Sequence, residues 1–150
     1  MSGIRRSVFF AISVMVLVLA ASGCGKKAMP TPPESDPVPA VSDLFHEVHG
    51  GYVHLAWSIP DPVAEGRFGR GEAVVSRART RLEDDNCDDC PLVFQQVAVV
   101  PVSSGLGSVK QTHREAMTSG FRYTFRVVLQ MGHGRTSGAS NLVSFDWGGE

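Results

Sequence analysis

The chain has 150 residues, a length that suits one domain, and its 14 Lys and Arg nearly balance 15 Asp and Glu to a formal net charge of −1. That balance excludes the strongly basic footprint of a nucleic-acid binder, so no nucleic acid is expected as a partner. Only three cysteines are present: Cys24 alone near the start, and Cys87 and Cys90 close together.

Arg5 and Arg6 precede an uncharged apolar run over residues 8–20, which is the layout of a secretory signal. A spanning helix needs about 20 consecutive apolar residues. Gly23, Gly25, Lys26 and Lys27 interrupt the run before that length is reached. The small residues Ala21, Ser22 and Gly23 offer a peptidase an extended, unhindered substrate. The run Leu19-Ala20-Ala21-Ser22-Gly23-Cys24 resembles the lipobox of bacterial lipoproteins, with Ala21 where that family favours Leu. The resemblance implies that residues 1–23 are a signal peptide removed after Gly23, and that Cys24 carries the lipid. Acyl burial contributes about 0.8 kcal/mol per CH₂, so two or three chains such as palmitate hold a protein on its membrane whereas one binds marginally. The mature chain then has 127 residues and, without Arg5 and Arg6, 12 basic residues against 15 acidic ones, for a net charge of −3. Gly25 is not the Asp associated with inner-membrane retention in many such lipoproteins, which favours the outer membrane of a bacterial envelope.

Residues 24–39 join the anchor to the rest and are a different material. Pro30, Pro32, Pro33, Pro37 and Pro39 fall here among Ser, Thr, Glu and Asp, with almost nothing to bury. Such a stretch favours extended polyproline II at about 3.1 Å per residue, so it reads as a semi-rigid stalk of up to about 45 Å. Lys26 and Lys27 stand where anionic headgroups would lie.

From residue 40 onward the pattern is all β, with short β-branched and aromatic runs between turn residues. Val53, Leu55 and Trp57 alternate with His54 and Ala56, and Pro60 stops the strand. Phe121, Tyr123, Phe125 and Val127 alternate with Arg122, Thr124 and Arg126 in the same way. Further strands are expected near 41–48, 72–82, 92–100, 107–115 and 140–146. Seven short antiparallel strands in such a length argue for a two-sheet sandwich.

Several segments resemble the fibronectin type III family. Pro39-Ala40-Val41-Ser42-Asp43-Leu44 is similar to its opening strand, and Val53-His54-Leu55-Ala56-Trp57-Ser58-Ile59-Pro60 to its second, with the buried tryptophan. Met117, Gly120, Tyr123, Phe125 and Val127 resemble its tyrosine-corner segment. Gly134, Ser137 and Ser140-Asn141-Leu142-Val143 resemble its final turn and strand. The chain departs from the family around residues 74–78, where the usual third-strand aromatic is missing. The resemblance implies an immunoglobulin-like, seven-stranded sandwich over residues 40–148. It implies a binding or spacer module and brings no catalytic residues, so the chain is expected to be no enzyme and to need no cofactor.

Three clusters carry the chemistry that is left. The acidic loop Glu83-Asp84-Asp85-Asn86-Cys87-Asp88-Asp89-Cys90-Pro91 lies between two strand-like runs. In an oxidising compartment its paired cysteines are expected to form a Cys87–Cys90 disulfide. A redox-active pair needs a depressed thiol pKa, which the crowding acids oppose. Structural zinc needs four ligands, and the spacing of His46 and His49 puts them on opposite faces of a strand, so no metal is expected. The alternative is a ligand- or metal-handling lipoprotein that uses this acidic loop. The second cluster is Arg77, Arg79 and Arg81, which alternate along the third strand. With Arg122 and Arg126 of the sixth strand they are expected to share the outer face of one sheet, as a candidate patch for an anionic glycan, a lipid headgroup or an envelope protein. The third is His113 beside Arg114 and Glu115, which lacks a nucleophile in a matching context.

Overall fold

Among the described residues, strand alternation and turn residues give eight strands, one α-helical turn and two 3-10 turns, Leu82–Asp84 and Gly132–Gly134. The computed structural model describes residues 36–84, 91–102 and 109–149. In chain order the elements are β1 (Phe45–His49), β2 (Tyr52–Ser58), α1 (Asp61–Ala64), β3 (Gly71–Arg81), β4 (Gln95–Val102), β5 (Lys110–Ala116), β6 (Phe121–Met131), β7 (Arg135–Thr136) and β8 (Val143–Trp147). Every strand pair is antiparallel. One sheet has the order β1-β2-β5, and the other runs β4-β3-β6 with β7 and β8 along successive stretches of β6.

The two sheets form a sandwich because each has one apolar row. Val53, Leu55 and Trp57 of β2 are at most 1% exposed, as are Ala73 and Val75 of β3 and Tyr123, Phe125, Val127 and Leu129 of β6. Full burial of each large side chain is worth about 1.5–3 kcal/mol, so these rows dominate the stability of the domain. Gly50 and Gly51 connect β1 to β2 with φ of 55° and 76°, a two-residue turn whose twist matches that of the flanking strands. Gly71 opens β3 so close to β6 that a side-chain carbon would meet the Gln130 carbonyl and the Met131 sulfur. Tyr123 closes the connection from β5 to β6: its hydroxyl donates to the Thr118 carbonyl at 3.0 Å and accepts from the Thr118 N–H at 2.7 Å.

Several boundaries differ from the sequence expectation, each for a local reason. Val41 and Leu44 are buried, yet the first strand starts only at Phe45, because the Asn141 side chain takes up the Leu44 N–H and C=O. After Pro60 the chain makes the single turn α1, with Pro62 in its first turn and Val63 and Ala64 buried. The strand expected near 140–146 is β8, and a two-residue strand that was not expected, β7, precedes it. Between them the Ser137 and Ser140 hydroxyls accept from the Leu129 and Val127 N–H groups at 2.9 Å each, so side chains complete the β6 ladder across the gap. A β-bulge between Val75 and Ser76 shifts the register of β4 on β3.

Candidate ligand-binding surface at the arginine rows

The side-chain period of a strand is two, so residues paired across an antiparallel ladder point to the same face. Arg77 pairs with Phe125, Arg79 with Tyr123 and Arg81 with Phe121, while on the far side of β6 Phe125 pairs with Val143, Tyr123 with Phe145 and Phe121 with Trp147. Tyr123 and Phe125 are core residues. The three arginines of β3 therefore stand on the inward row, in phase with Ala73 and Val75. Arg122 and Arg126 pair with Thr80 and Ser76 on the outward row. The expectation that Arg77, Arg79, Arg81, Arg122 and Arg126 share one outer face is corrected accordingly: the five divide between opposite faces of the sheet.

Each inward arginine is accommodated differently. Arg77 reaches across the sandwich and donates to Glu115 of β5, with both side chains 17% exposed. The other carboxylate oxygen of Glu115 lies 3.7 Å from His113 Nε2. Neither that oxygen nor His113 Nε2 nor Trp57 Nε1 has a hydrogen-bond partner among the described residues, although all three are buried. Arg79 lays its guanidinium over the Phe121 ring, 5.1 Å from the centroid. Arg81 lines a shallow depression of about 260 Å³ together with Glu83, Ser119, Gly120 and Phe121. Arg79 and Arg81 are exposed and form no ion pair among the described residues.

The outward arginines are engaged in contacts of their own. Arg122 holds Asp146 by two hydrogen bonds, 2.6 Å and 3.1 Å long, and this guanidinium keeps the Asp146 carboxyl below its ordinary pKa. Beside it Thr124 and Ser144 share a 2.9 Å hydroxyl bond. Arg126 lies over the Phe94 ring at 4.0 Å.

Other sequence candidates separate in the same manner. His46 faces inward and stacks on Phe145 at 4.5 Å, while His49 is on the opposite face near His54 and Glu47. Among the described residues no three of His, Cys, Asp and Glu cluster so as to hold a metal, and no helix is long and apolar enough to cross a membrane. Cys24, Cys87 and Cys90 lie outside the described residues. At the opposite end of the chemistry, Asp43 accepts from the Ser58 N–H at 2.9 Å. Partial burial works against its charge, but the Ser58 hydrogen bonds outweigh it and hold the carboxyl below the ordinary value.

The end of the sandwich where Arg79, Arg81, Phe121 and Ser119 meet is not legible as a unit in the sequence, since its parts come from β3 and from the connection into β6, about 40 residues apart. The usable signal was the phase of the arginines with Ala73 and Val75. No protein-family model and no curated protein sequence matches the chain.

Proposed function

We propose that this protein is a non-catalytic lipoprotein of the bacterial envelope, anchored through Cys24 and carrying one binding module of the fibronectin type III kind. Three features support the module: the strand order β1-β2-β5 facing β4-β3-β6-β8, the buried Trp57 on β2, and the Tyr123–Thr118 hydrogen bonds at the turn into β6. The lipobox-like run ending in Cys24 and the proline-rich stretch after it support the anchor. The observation that carries the binding role is the sandwich end, where Arg79 and Arg81 offer two guanidinium groups beside a depression instead of spending them on ion pairs within the described fold. Two such groups suit the carboxylates or phosphates of an envelope partner.

Crosslinking in the native envelope, followed by capture of the full chain, tests the binding role. A discrete partner, lost when Arg79→Gln and Arg81→Gln are combined, is the expected result. Capture that is absent, or unchanged by the double substitution, would sink it. The mass of the purified mature chain tests the rest: acylation at Cys24 and a loss of two daltons for a Cys87–Cys90 disulfide are expected. An unmodified Cys24 would remove the anchor. Stoichiometric metal retained with both thiols free would instead favour a metal-handling role for the acidic loop.

A further inference from the structure

We infer that the depression at the sandwich end is a subsite for a single acidic sugar residue, a hydroxylated ring bearing a carboxylate. The inference rests on the binding-module reading above and names its ligand. Its lining brings together residues of four chemistries: the cationic Arg81, the acidic Glu83, the hydroxyl-bearing Ser119 and the aromatic Phe121. Arg79, with its guanidinium 5.1 Å from the centroid of the Phe121 ring, brings a second cation next to that lining residue. The two cations select for an anion, and the planar guanidinium matches a carboxylate with two parallel hydrogen bonds.

Glu83 decides between anions. A dense phosphate dianion gains from cations alone and is repelled by a carboxylate in the wall. A hydroxylated ring instead uses that carboxylate as a hydrogen-bond acceptor and Ser119 as donor or acceptor. Phe121 supplies an apolar surface for the C–H face of the ring. The size agrees: at about 260 Å³ the space falls just under the about 300–1,000 Å³ of pockets that enclose drug-sized ligands, so it takes one small ring or one residue of a chain.

The backbone around the depression is pinned. The Leu82 N–H donates to the Gly120 carbonyl at 3.0 Å, and the Gly120 N–H donates to the Trp147 carbonyl at 2.7 Å. These bonds tie the end of β3, the turn into β6 and the end of β8 together, so Arg81 and Ser119 are presented from a rigid frame.

The test uses the full chain, purified in detergent micelles and labelled for amide resonance spectroscopy, with glucuronic acid as the probe. Saturable shifts are expected at Ser119, Gly120 and Phe121, with dissociation in the millimolar range. Glucose should bind at least about tenfold more weakly, the cost of one charge-assisted contact. Arg81→Gln should weaken glucuronate by a similar factor, and Arg122→Gln, on the opposite face, should leave it unchanged. Equal binding of inorganic phosphate or glycine would overturn the assignment, as would shifts that map to Arg122 and Arg126 or no saturation at all. If glucuronate fails while capture of an envelope partner still depends on Arg79 and Arg81, the sugar assignment falls and the binding-module reading stands.

Discussion

The inward row of β3 has two halves that obey one geometry and opposite chemistry. Gly71, Ala73 and Val75 seal the sandwich, with Ala73 and Val75 fully buried and no space at Gly71 for a side chain. Arg77, Arg79 and Arg81 continue the same row on the same face, yet each keeps its charge solvated, paired or stacked. The contrast teaches that the pleat sets which face a residue occupies, while the depth of cover decides which chemistry that face tolerates. Cover runs out along the row: Arg77 is mostly buried and needs Glu115, whereas Arg79 and Arg81 are exposed and rely on Phe121 and the open end.

Extending the arginine row inward by one step should have the largest effect on stability. Val75→Arg places a cation where the side chain is fully buried. The expected loss is about 3 kcal/mol or more, a large part of the 5–15 kcal/mol that a domain possesses. Urea unfolding followed by circular dichroism measures it. A variant that keeps a native midpoint would show that the upper half of the row is not dry.

Removing the partner of the deepest arginine should have the next largest effect. Glu115→Gln leaves the Arg77 guanidinium mostly buried without its anion, at a cost of about 1.5–3 kcal/mol. Replacing both residues, as Arg77→Met with Glu115→Leu, should recover much of that loss, because two matched apolar groups leave no unpaired charge. If the double variant is as unstable as Glu115→Gln, the pair is not a self-contained unit and His113 or Trp57 must share in it. The corresponding test at the exposed end is milder: Arg81→Gln should change the unfolding midpoint by no more than about 0.5 kcal/mol.

The hydroxyl of Tyr123 sharpens the comparison from the neighbouring strand, since its ring sits in the row of Arg79 while its polar tip is spent on the backbone. Tyr123→Phe keeps the stacking on Phe125 and Phe145 but leaves the Thr118 N–H and C=O without that partner. A loss of about 1–2 kcal/mol is expected in thermal or urea unfolding. A neutral result would mean that water replaces the hydroxyl and that the turn into β6 is held by packing alone.

These contrasts explain how much of the molecule could be read from its residues. The all-β class and the two-sheet arrangement follow from clean alternation in β2 and β6, where bulky aromatics stand on one parity and polar residues on the other. β3 is ambiguous in that respect: Val74 and Val75 are both buried, as are Ala73 and Ala78, so apolar residues occupy both parities. Reading its arginines as outward follows the habit that charge faces water, and the ladder with Tyr123 and Phe125 overrules it. The partner that makes Arg77 tolerable is Glu115, 38 residues away on the other sheet. The start of β1 was hidden for the same reason, because Asn141 holds Leu44 from 97 residues further along. Local patterns carry strand existence, and the face where alternation is clean, but ion pairs and side-chain clips between sheets depend on contacts that no window of sequence contains.

The smallest expected effect concerns a carboxylate outside the arginine rows, which serves as a control on charge in this fold. Asp43 is held below the ordinary value of 3.8 by its hydrogen bonds from Ser58, despite the opposing effect of partial burial. A carboxyl whose folded pKa lies below its unfolded one contributes stability that is fully present above the unfolded value, and that stability is lost as pH falls through the folded value. Unfolding midpoints measured from neutral pH down through that range should therefore fall more steeply for the native chain than for Asp43→Asn, which keeps an acceptor for the Ser58 N–H but cannot titrate. Parallel curves would mean that Asp43 does not retain its hydrogen bond in solution.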